Sequence, residues 1–148
     1  MRAAFNLVAS ATGFRFVQWD DTTVIPQRKR NAAAEADADI VVAFATKRET
    51  TLGLGSHDGY DTLGVGGFSA VIGRFALGAN VVIDRTDVAD HTDVELRRVY
   101  MHELAHALGL AHVTPAGNVL TAIAADGPAA WGPDDLRGLT AVGRAAGC

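Results

Sequence analysis

Three histidines and one glutamate within a single short stretch are the side chains of this sequence best suited to chemistry. The stretch reads HELAHALGLAH and supplies His102, Glu103, His106, Gly109 and His112. On a helix, His102 and His106 lie one turn apart on the same face and can reach one ion. Gly109 can adopt a positive φ, which lets the helix stop and the chain turn back, so that His112 approaches the same ion. Three imidazoles with one open position form the coordination pattern of a catalytic zinc, and Glu103 can hold a water there without binding the metal.

The alternative is a buried helix that merely carries histidines, and the local context argues against it. Thr92 and Glu95 have the spacing of a capping box, which predicts a helix from Asp93 to Leu108. Apolar residues recur at helical spacing away from the ligand positions: Leu96, Tyr100, Leu104 and Leu108. The sequence therefore predicts a central helix that is apolar on both sides of a polar ligand strip, crossing beneath a cleft.

The composition indicates one ordinary globular domain. The chain has 148 residues, of which 49% are hydrophobic and 20% charged, with a net charge of −4. This charge gives no reason to expect nucleic acid or an anionic membrane as a partner. No apolar stretch is long enough to span a bilayer, and no secretory leader is visible. The single cysteine, Cys148, is either an incidental thiol or has its partner outside this sequence.

Hydrophobic periodicity and turn residues predict the remaining elements. A helix through Ala4–Ala11 ending at Gly13 should be followed by a strand at Phe14–Trp19 and a loop over 20–37. Buried strands are predicted at Asp39–Ala45 and Ala79–Asp84, with glycine-rich loops and short strands over 53–78 between them. A loop over 113–133 and a capped helix at Asp134–Val142 complete an α/β sandwich-like order of elements.

The first helix begins at the initiator, with no strand before it. We therefore hypothesise that one strand and part of a helix are missing from the N-terminus. The same missing stretch could hold the partner of Cys148.

With these elements in place, the sequence resembles the metzincin zinc endopeptidases, and most closely bacterial matrixin-like members. The resemblance rests on HELAHALGLAH, on DIVVAFA and ANVVID upstream, and on NVLTAIAADGPAAWGPDDLRGLTAVG downstream. It implies an α/β (α+β) fold with a twisted, mostly parallel sheet and three helices, and an antiparallel edge strand at about Gly66–Ala70. It also implies a single metallopeptidase catalytic domain over residues 1–148, a secreted protein and a monomer.

One departure from the family pattern affects the floor of the site. Metzincins carry a methionine turn beneath the zinc, whereas the matching residue here is Leu120, followed by Thr121 and Ala122. Leucine is close to methionine in volume, and such exchanges usually cost less than about 1.5 kcal/mol. We therefore expect the site to survive with an altered pocket wall and without the extra tyrosine ligand of some relatives.

The mechanism that the resemblance implies is hydrolysis of a polypeptide by a zinc-activated water. His102, His106 and His112 would bind Zn²⁺, and Glu103 would act as general base and then protonate the leaving amine. The substrate would lie extended along the edge strand near Gly66–Ala70, and residues 120–123 (LTAI) would line the pocket for the side chain after the cut.

Further acidic residues and histidines allow additional ions. His57, Asp58 and Asp61 lie in the glycine-rich region, where matrixins often hold structural zinc or calcium, although scattered polar loop residues are common. Asp84 and Asp87 follow a strand and are interpreted as solvated turn residues rather than a calcium site. His91 is interpreted as a surface residue.

Two other functions compete with that of an endopeptidase. A catalytically silent, metzincin-like binding domain could keep zinc for structure, although it would have no use for Glu103. A zinc hydrolase acting on a non-peptide amide is the third possibility. The sequence does not reveal the substrate, its cleavage specificity or the mechanism of latency.

Overall fold

A computed structural model of the chain describes residues 1–57, 60–69, 71–72, 75–114, 116–122 and 127–148. Its helices, in chain order, are α1 (Arg2–Thr12), α2 (Ala32–Glu35), α3 (Asp93–Ala107) and α4 (Pro133–Ala145), with a 3-10 turn at Val88–Asp90. Its strands are β1 (Ile40–Ala45), β2 (Gly55–His57), β3 (Tyr60–Thr62), β4 (Gly64–Phe68), β5 (Val71–Ile72), β6 (Phe75–Ala76) and β7 (Ala79–Asp84). None of the described helices is long and apolar enough to cross a membrane.

The central sheet has β7 in the middle, with β1 parallel on one side and β4 antiparallel on the other. Every residue of β7 is buried, as expected for an apolar strand with a neighbour on each side. The antiparallel edge strand confirms the expectation from the sequence, but it begins at Gly64, and Ala70 lies outside the described residues. The mixed α/β architecture confirms the predicted α+β fold class, and β2–β3 and β5–β6 add two small antiparallel pairs.

The predicted central helix is confirmed as α3, and its start is fixed by the predicted capping box. The Thr92 hydroxyl accepts a hydrogen bond from the Glu95 N–H, and the Glu95 carboxylate accepts one from the Thr92 N–H. Met101 and Leu104 from this helix pack with Val81 of β7 in the largest apolar core. The helix therefore lies against the sheet.

The predicted strand at Phe14–Trp19 is wrong, because this segment pairs with none of the described strands. It is held to α1 by aromatic contacts instead, with the Phe16 ring centroid 5.0 Å from that of Phe5. The predicted loop over 20–37 also contains the short helix α2, which begins where the Asn31 side chain accepts a hydrogen bond from the Ala34 N–H. The alternating pattern at Phe14–Trp19 was therefore not sufficient to form a strand without a neighbouring strand. The cap at Asn31, in contrast, starts a short helix inside a predicted loop.

The last and first helices match their predicted positions. The final helix extends to Pro133–Ala145, beyond the predicted Asp134–Val142, and α1 ends as expected at Gly13 with a φ of 83°. Both helices pack together, with residues from each in the core that α3 also enters. The three longer helices therefore share one core with the sheet.

Backbone contact between β4 and α3 fixes the distance from the edge strand to the central helix. A Cβ at Gly66 would lie 2.0 Å from the Glu103 carbonyl oxygen, and one at Gly64 would lie 2.7 Å from the Glu103 Cγ. At position 66 only glycine permits this approach, because a side chain there would overlap the helix backbone. The edge strand is thereby held directly beside Glu103.

We predict that Gly66→Ala destabilises the protein strongly because the added methyl group must push β4 away from α3. Overpacking of this kind usually costs about 1–3 kcal/mol, and contact with backbone places this site at the upper end. The measurement is the free energy of unfolding in denaturant. Gly67→Ala is the matched control, since a Cβ there meets nothing within 4 Å. Equal stability of the two variants would contradict the close approach.

Candidate metal centre

Three imidazole nitrogens meet at one point on the polar side of α3. The Nε2 atoms of His102 and His106 are 2.9 Å apart, those of His106 and His112 are 3.1 Å apart, and those of His112 and His102 are 3.2 Å apart. Within the described part of the chain, this is the only group of three or more His, Cys, Asp or Glu side chains that could hold a metal ion. The structure therefore brings together all three histidines that the sequence singled out.

The end of the helix produces this convergence. His102 and His106 are one turn apart on α3, and Gly109 has a φ of 89°, as the sequence predicted. The Leu110 N–H donates to the carbonyl of Ala105, which closes the turn. The chain then reverses and carries His112 back to the other two rings.

Backbone carbonyls set the orientation of two of the rings. The Nδ1 atom of His102 lies 2.8 Å from the Val119 carbonyl oxygen, and that of His106 lies 2.7 Å from the Leu110 carbonyl oxygen. Because a carbonyl can only accept, each Nδ1 must carry the proton and donate it. The Nε2 lone pair of each ring is then directed at the common point, as in metal-ligating histidines.

The donor set fits a zinc ion in spacing and in protonation. Bonds of about 2.0–2.1 Å in a tetrahedral site separate ligand nitrogens by about 3.3 Å, close to the three distances given above. Burial lowers the pKa of His102 to about 4, and it also lowers the pKa of His112. These two imidazoles are therefore neutral near pH 7, which is the form that binds a metal.

Glu103 directly follows the ligand His102 on α3, and its side chain is buried. Burial raises the pKa of its carboxyl to about 7, while a hydrogen bond from the Gly66 backbone acts in the opposite direction. A cation bound nearby would favour the charged carboxylate. A pKa near neutrality suits a group that must both accept and release a proton.

The segment beneath the triad is fixed by a residue that the sequence analysis did not single out. Asp135, at the start of α4, is fully buried, and its carboxylate accepts hydrogen bonds from the N–H groups of Val119 and Leu120 at 2.6 and 3.1 Å. It also accepts one from the Gly132 N–H at 2.9 Å. Since the Val119 carbonyl orients His102, Asp135 positions that ring indirectly. The sequence predicts a capped helix at this point, and nothing in the local pattern indicates the loop as a second partner of Asp135.

Asn118 completes the connection in the other direction. Its buried side-chain oxygen accepts hydrogen bonds from the backbone N–H groups of Asp134 and Asp135, at 3.0 and 3.4 Å. The loop that contains Asn118 thus caps the start of α4, while Asp135 of α4 binds the backbone of that loop.

Leu120, at the position of the family's methionine, is part of this loop and of the main core. Only 1% of its surface is exposed, so it is enclosed in the core and cannot line an open pocket. The expectation that it forms part of the pocket wall is therefore wrong. Thr121 and Ala122 remain candidates for that wall, and Ile123 lies outside the described residues.

The other residues that were considered as ion ligands lie in different environments. Asp58 and the side chain of His57 lie outside the described residues, and the Asp61 carboxylate accepts a hydrogen bond from Ser56. Asp84 is buried and accepts hydrogen bonds from the backbone and hydroxyl of Thr86, so it forms a turn contact and is not solvated.

His91 is not a simple surface residue. It is half-buried, and its Nδ1 lies 2.8 Å from the Asp87 carbonyl oxygen.

Comparison with known protein families agrees with this geometry. Residues 2–142 match the model of the matrixin family, so the chain belongs to the matrixins, a family of zinc metallopeptidases among the metzincins. No curated protein matches the chain.

We predict that Asp135→Asn weakens metal binding as well as folding. An amide offers only one acceptor oxygen, so a buried N–H of the loop loses its partner at a cost of about 1–3 kcal/mol. The carbonyl that orients His102 then moves, and zinc affinity should fall by about tenfold or more. The measurement is a competition titration with a zinc chelator. Asp134→Asn is the neighbouring control, and equal losses of affinity in both variants would contradict the role of Asp135.

We predict that the metal-free wild type loses stability relative to Glu103→Gln as the pH rises from 5 to 8. The raised pKa of Glu103 means that the folded chain holds the proton more tightly, so its contribution is full below 4.5 and is lost as the pH passes about 7. The lowered pKa of His102 acts oppositely, with a contribution present above 6.5 and lost towards about 4, but it is common to both proteins. The stability difference should change by about 3 kcal/mol. Unfolding in denaturant with chelator present measures it, and a difference independent of pH would contradict the buried carboxyl.

Proposed function

We propose that this matrixin is a zinc-dependent endopeptidase, with residues 1–148 forming its catalytic domain. The observation that carries the proposal is the convergence of three Nε2 atoms within 3.2 Å of one another. His102, His106 and His112 would hold the zinc. Three protein ligands leave one coordination position for water or substrate, as catalytic zinc sites require.

Glu103 would act as general base and then as general acid. A zinc ion held by the three histidines would act as a Lewis acid that acidifies water and polarises a carbonyl. Glu103 takes the proton from the attacking water and delivers it to the nitrogen of the departing amine. Burial supports this role, because it raises the pKa of the carboxyl in the metal-free site and so makes the group able to hold the proton that it takes up.

The substrate would bind as an added strand along β4. Among the described strands, β4 pairs only with β7, so its other edge can offer N–H and C=O groups to an extended peptide. Gly64 and Gly66 hold this strand against Glu103, which would bring the peptide beside the carboxylate. A polypeptide is the substrate class that such an edge recognises best.

We predict that the zinc-loaded protein cleaves a denatured protein substrate and that a chelator abolishes this cleavage. Glu103→Ala should retain one zinc per chain yet lose at least about 10²-fold in turnover, because only proton transfer is removed. The measurements are metal content by elemental analysis and release of new amino termini. His112→Ala is the complementary variant, and it should lose both zinc and activity.

The results separate this function from the alternatives. Zinc-loaded wild type that cleaves nothing in a broad peptide library would contradict an endopeptidase and favour the silent binding domain. Hydrolysis of simple amides without cleavage of peptides would favour the non-peptide hydrolase. Equal turnover by wild type and Glu103→Ala would remove Glu103 from the mechanism.

A further inference from the structure

The turn over residues 27–30 presents two cationic side chains to solvent. The Arg30 N–H donates to the Gln27 carbonyl at 3.2 Å, which closes the turn with Arg28 and Lys29 at its centre. Both central residues are exposed. Lys29 has a φ of 67°, in the left-handed region that glycine usually occupies at the third position of a turn. Residues kept in such a conformation concentrate at functional sites, which makes this lysine a candidate for binding.

The turn over residues 46–49 has the same arrangement. The Glu49 N–H donates to the Thr46 carbonyl at 2.9 Å, and the Glu49 carboxylate accepts a hydrogen bond from the Thr46 N–H at 2.8 Å. Lys47 and Arg48 occupy the centre of this turn and are exposed. Because Lys29 and Lys47 are the only lysines of the chain, each turn carries one lysine beside one arginine.

Hydrogen bonds between the two turns hold them side by side. The Gln27 side chain donates to the Glu49 carbonyl at 2.6 Å and accepts from the Thr51 N–H at 3.0 Å. The Arg28 N–H donates to the Thr51 hydroxyl at 2.7 Å. The tips of the turns therefore form one surface, which we term the basic surface and define by its four cations: Arg28, Lys29, Lys47 and Arg48.

Two carboxylates beside the basic surface are engaged by other cations. Glu35 pairs with Arg30, and Glu49 pairs with Arg85 at 2.8 Å. None of the three ion pairs in the described part of the chain includes a member of the basic surface. Four cations therefore remain available at one place in a chain whose net charge is −4, and they create a local positive potential.

The basic surface lies at the end of the sheet where the edge strand begins. β1 ends at Ala45, directly before the second turn, and the parallel strand β7 ends beside it at Asp84. β4 runs antiparallel to β7, so its first residue, Gly64, lies opposite Ile83 at the same end. β4 and β1 are about 10 Å apart across the sheet. A peptide that pairs with β4 can therefore continue past Gly64 towards the basic surface.

We propose that the basic surface binds an acidic segment of the polypeptide substrate, several residues away from the scissile bond. The inference rests on the proposed function, in which the substrate pairs with β4. Neither turn carries an aromatic or aliphatic side chain that could stack on a base or enter a bilayer. Recognition through charge alone suits a flexible chain of spaced carboxylates, with which arginine and lysine both form charge-assisted hydrogen bonds.

The test measures binding of a fluorescent peptide of alternating glutamate and serine to the full-length, zinc-loaded Glu103→Gln protein. In that background, Arg28→Gln with Lys29→Gln and Lys47→Gln with Arg48→Gln should each weaken binding by about fivefold or more, because each removes two charge pairs. A peptide with glutamine in place of glutamate should bind no more tightly to the parent than to these variants. Binding of the glutamate peptide should also weaken steeply towards 1 M salt, where the Debye length is about 3 Å.

Arg2→Gln with Arg144→Gln is the matched control, because it removes the same charge from exposed positions on α1 and α4. This variant should bind the glutamate peptide as tightly as its parent. Equal weakening in the control and in the two turn variants would indicate attraction by overall charge and would overturn the proposal. Weakening in only one of the turn variants would overturn a surface formed by both turns.

Lys29→Gly separates binding from folding. Glycine adopts a φ of 67° without strain, so this variant should unfold at a higher denaturant concentration than Lys29→Gln. It should nevertheless bind the glutamate peptide as weakly as Lys29→Gln does, because both lack the ammonium group. Binding by Lys29→Gly that equals the binding of its parent would contradict a role for this lysine.

A cleavage assay separates the inference from the proposed function. With the zinc-loaded wild type, a cleavable peptide extended by the glutamate run at one end should have a lower KM than one extended by glutamine, and both turn variants should lose this difference. Binding of the glutamate peptide without cleavage of any peptide would reject the peptidase and keep the binding of an acidic polypeptide. Cleavage without a preference for glutamate at either end would keep the peptidase and overturn the proposal.

Other polyanions are tested with the same variants. Dextran sulfate and phosphatidylserine vesicles carry the negative charge of a polysaccharide and of a lipid surface. Binding of either one that depends on the two turns, with no binding of the glutamate peptide, would assign the basic surface to that class of partner and overturn the proposal.

Discussion

The orientation of the imidazole rings by main-chain carbonyls is the interaction on which the site depends. A histidine can bind a metal only if the correct nitrogen carries the lone pair and faces the ion. The carbonyls of Val119 and Leu110 meet both conditions for His102 and His106, because they accept the Nδ1 proton of each ring. The Leu110 carbonyl belongs to the turn that ends α3, whereas the Val119 carbonyl belongs to a loop further along the chain. Local and long-range structure are therefore both needed to orient the rings.

The placement of the Val119 carbonyl depends on the buried carboxylate of Asp135. Asp135 holds the backbone of the loop through two N–H groups, and Asn118 returns the contact by capping α4. Leucine at position 120 is packed in the main apolar core and contributes no polar side-chain group. The position of the loop is therefore set by hydrogen bonds to its backbone, in which the side chain of residue 120 takes no part.

The sequence predicted most accurately the parts that are encoded by local rules. The capping box at Thr92, the periodicity of α3 and the glycine at 109 gave the helix, its end and the convergence of the histidines. The alternation at Phe14–Trp19 failed because strand formation requires a partner, which a local pattern cannot specify. Asp135 was interpreted as an ordinary cap for the same reason, since its decisive partners lie in another loop.

The exposure of individual side chains could not be predicted from sequence patterns either. Leu120 was assigned to the pocket wall from its place after the motif, yet the packing of the core buries it. Phe68, the exposed last residue of β4, received no assignment, because its exposure arises from the point at which α3 stops relative to that strand. The burial of Leu120 and the exposure of Phe68 both depend on how elements of different lengths pack against one another. The sequence of a single segment does not determine that packing.

The reciprocal contact between Asp135 and the loop has a consequence for the carboxyl-terminal end of the fold. Thermodynamic linkage requires that if docking of α4 raises metal affinity, an occupied site must stabilise that docking to the same extent. Loss of the metal would then loosen the last helix and expose the chain around residue 132 to proteolytic trimming. The protein would thereby couple its lifetime to its metal supply, with the apo form degraded first.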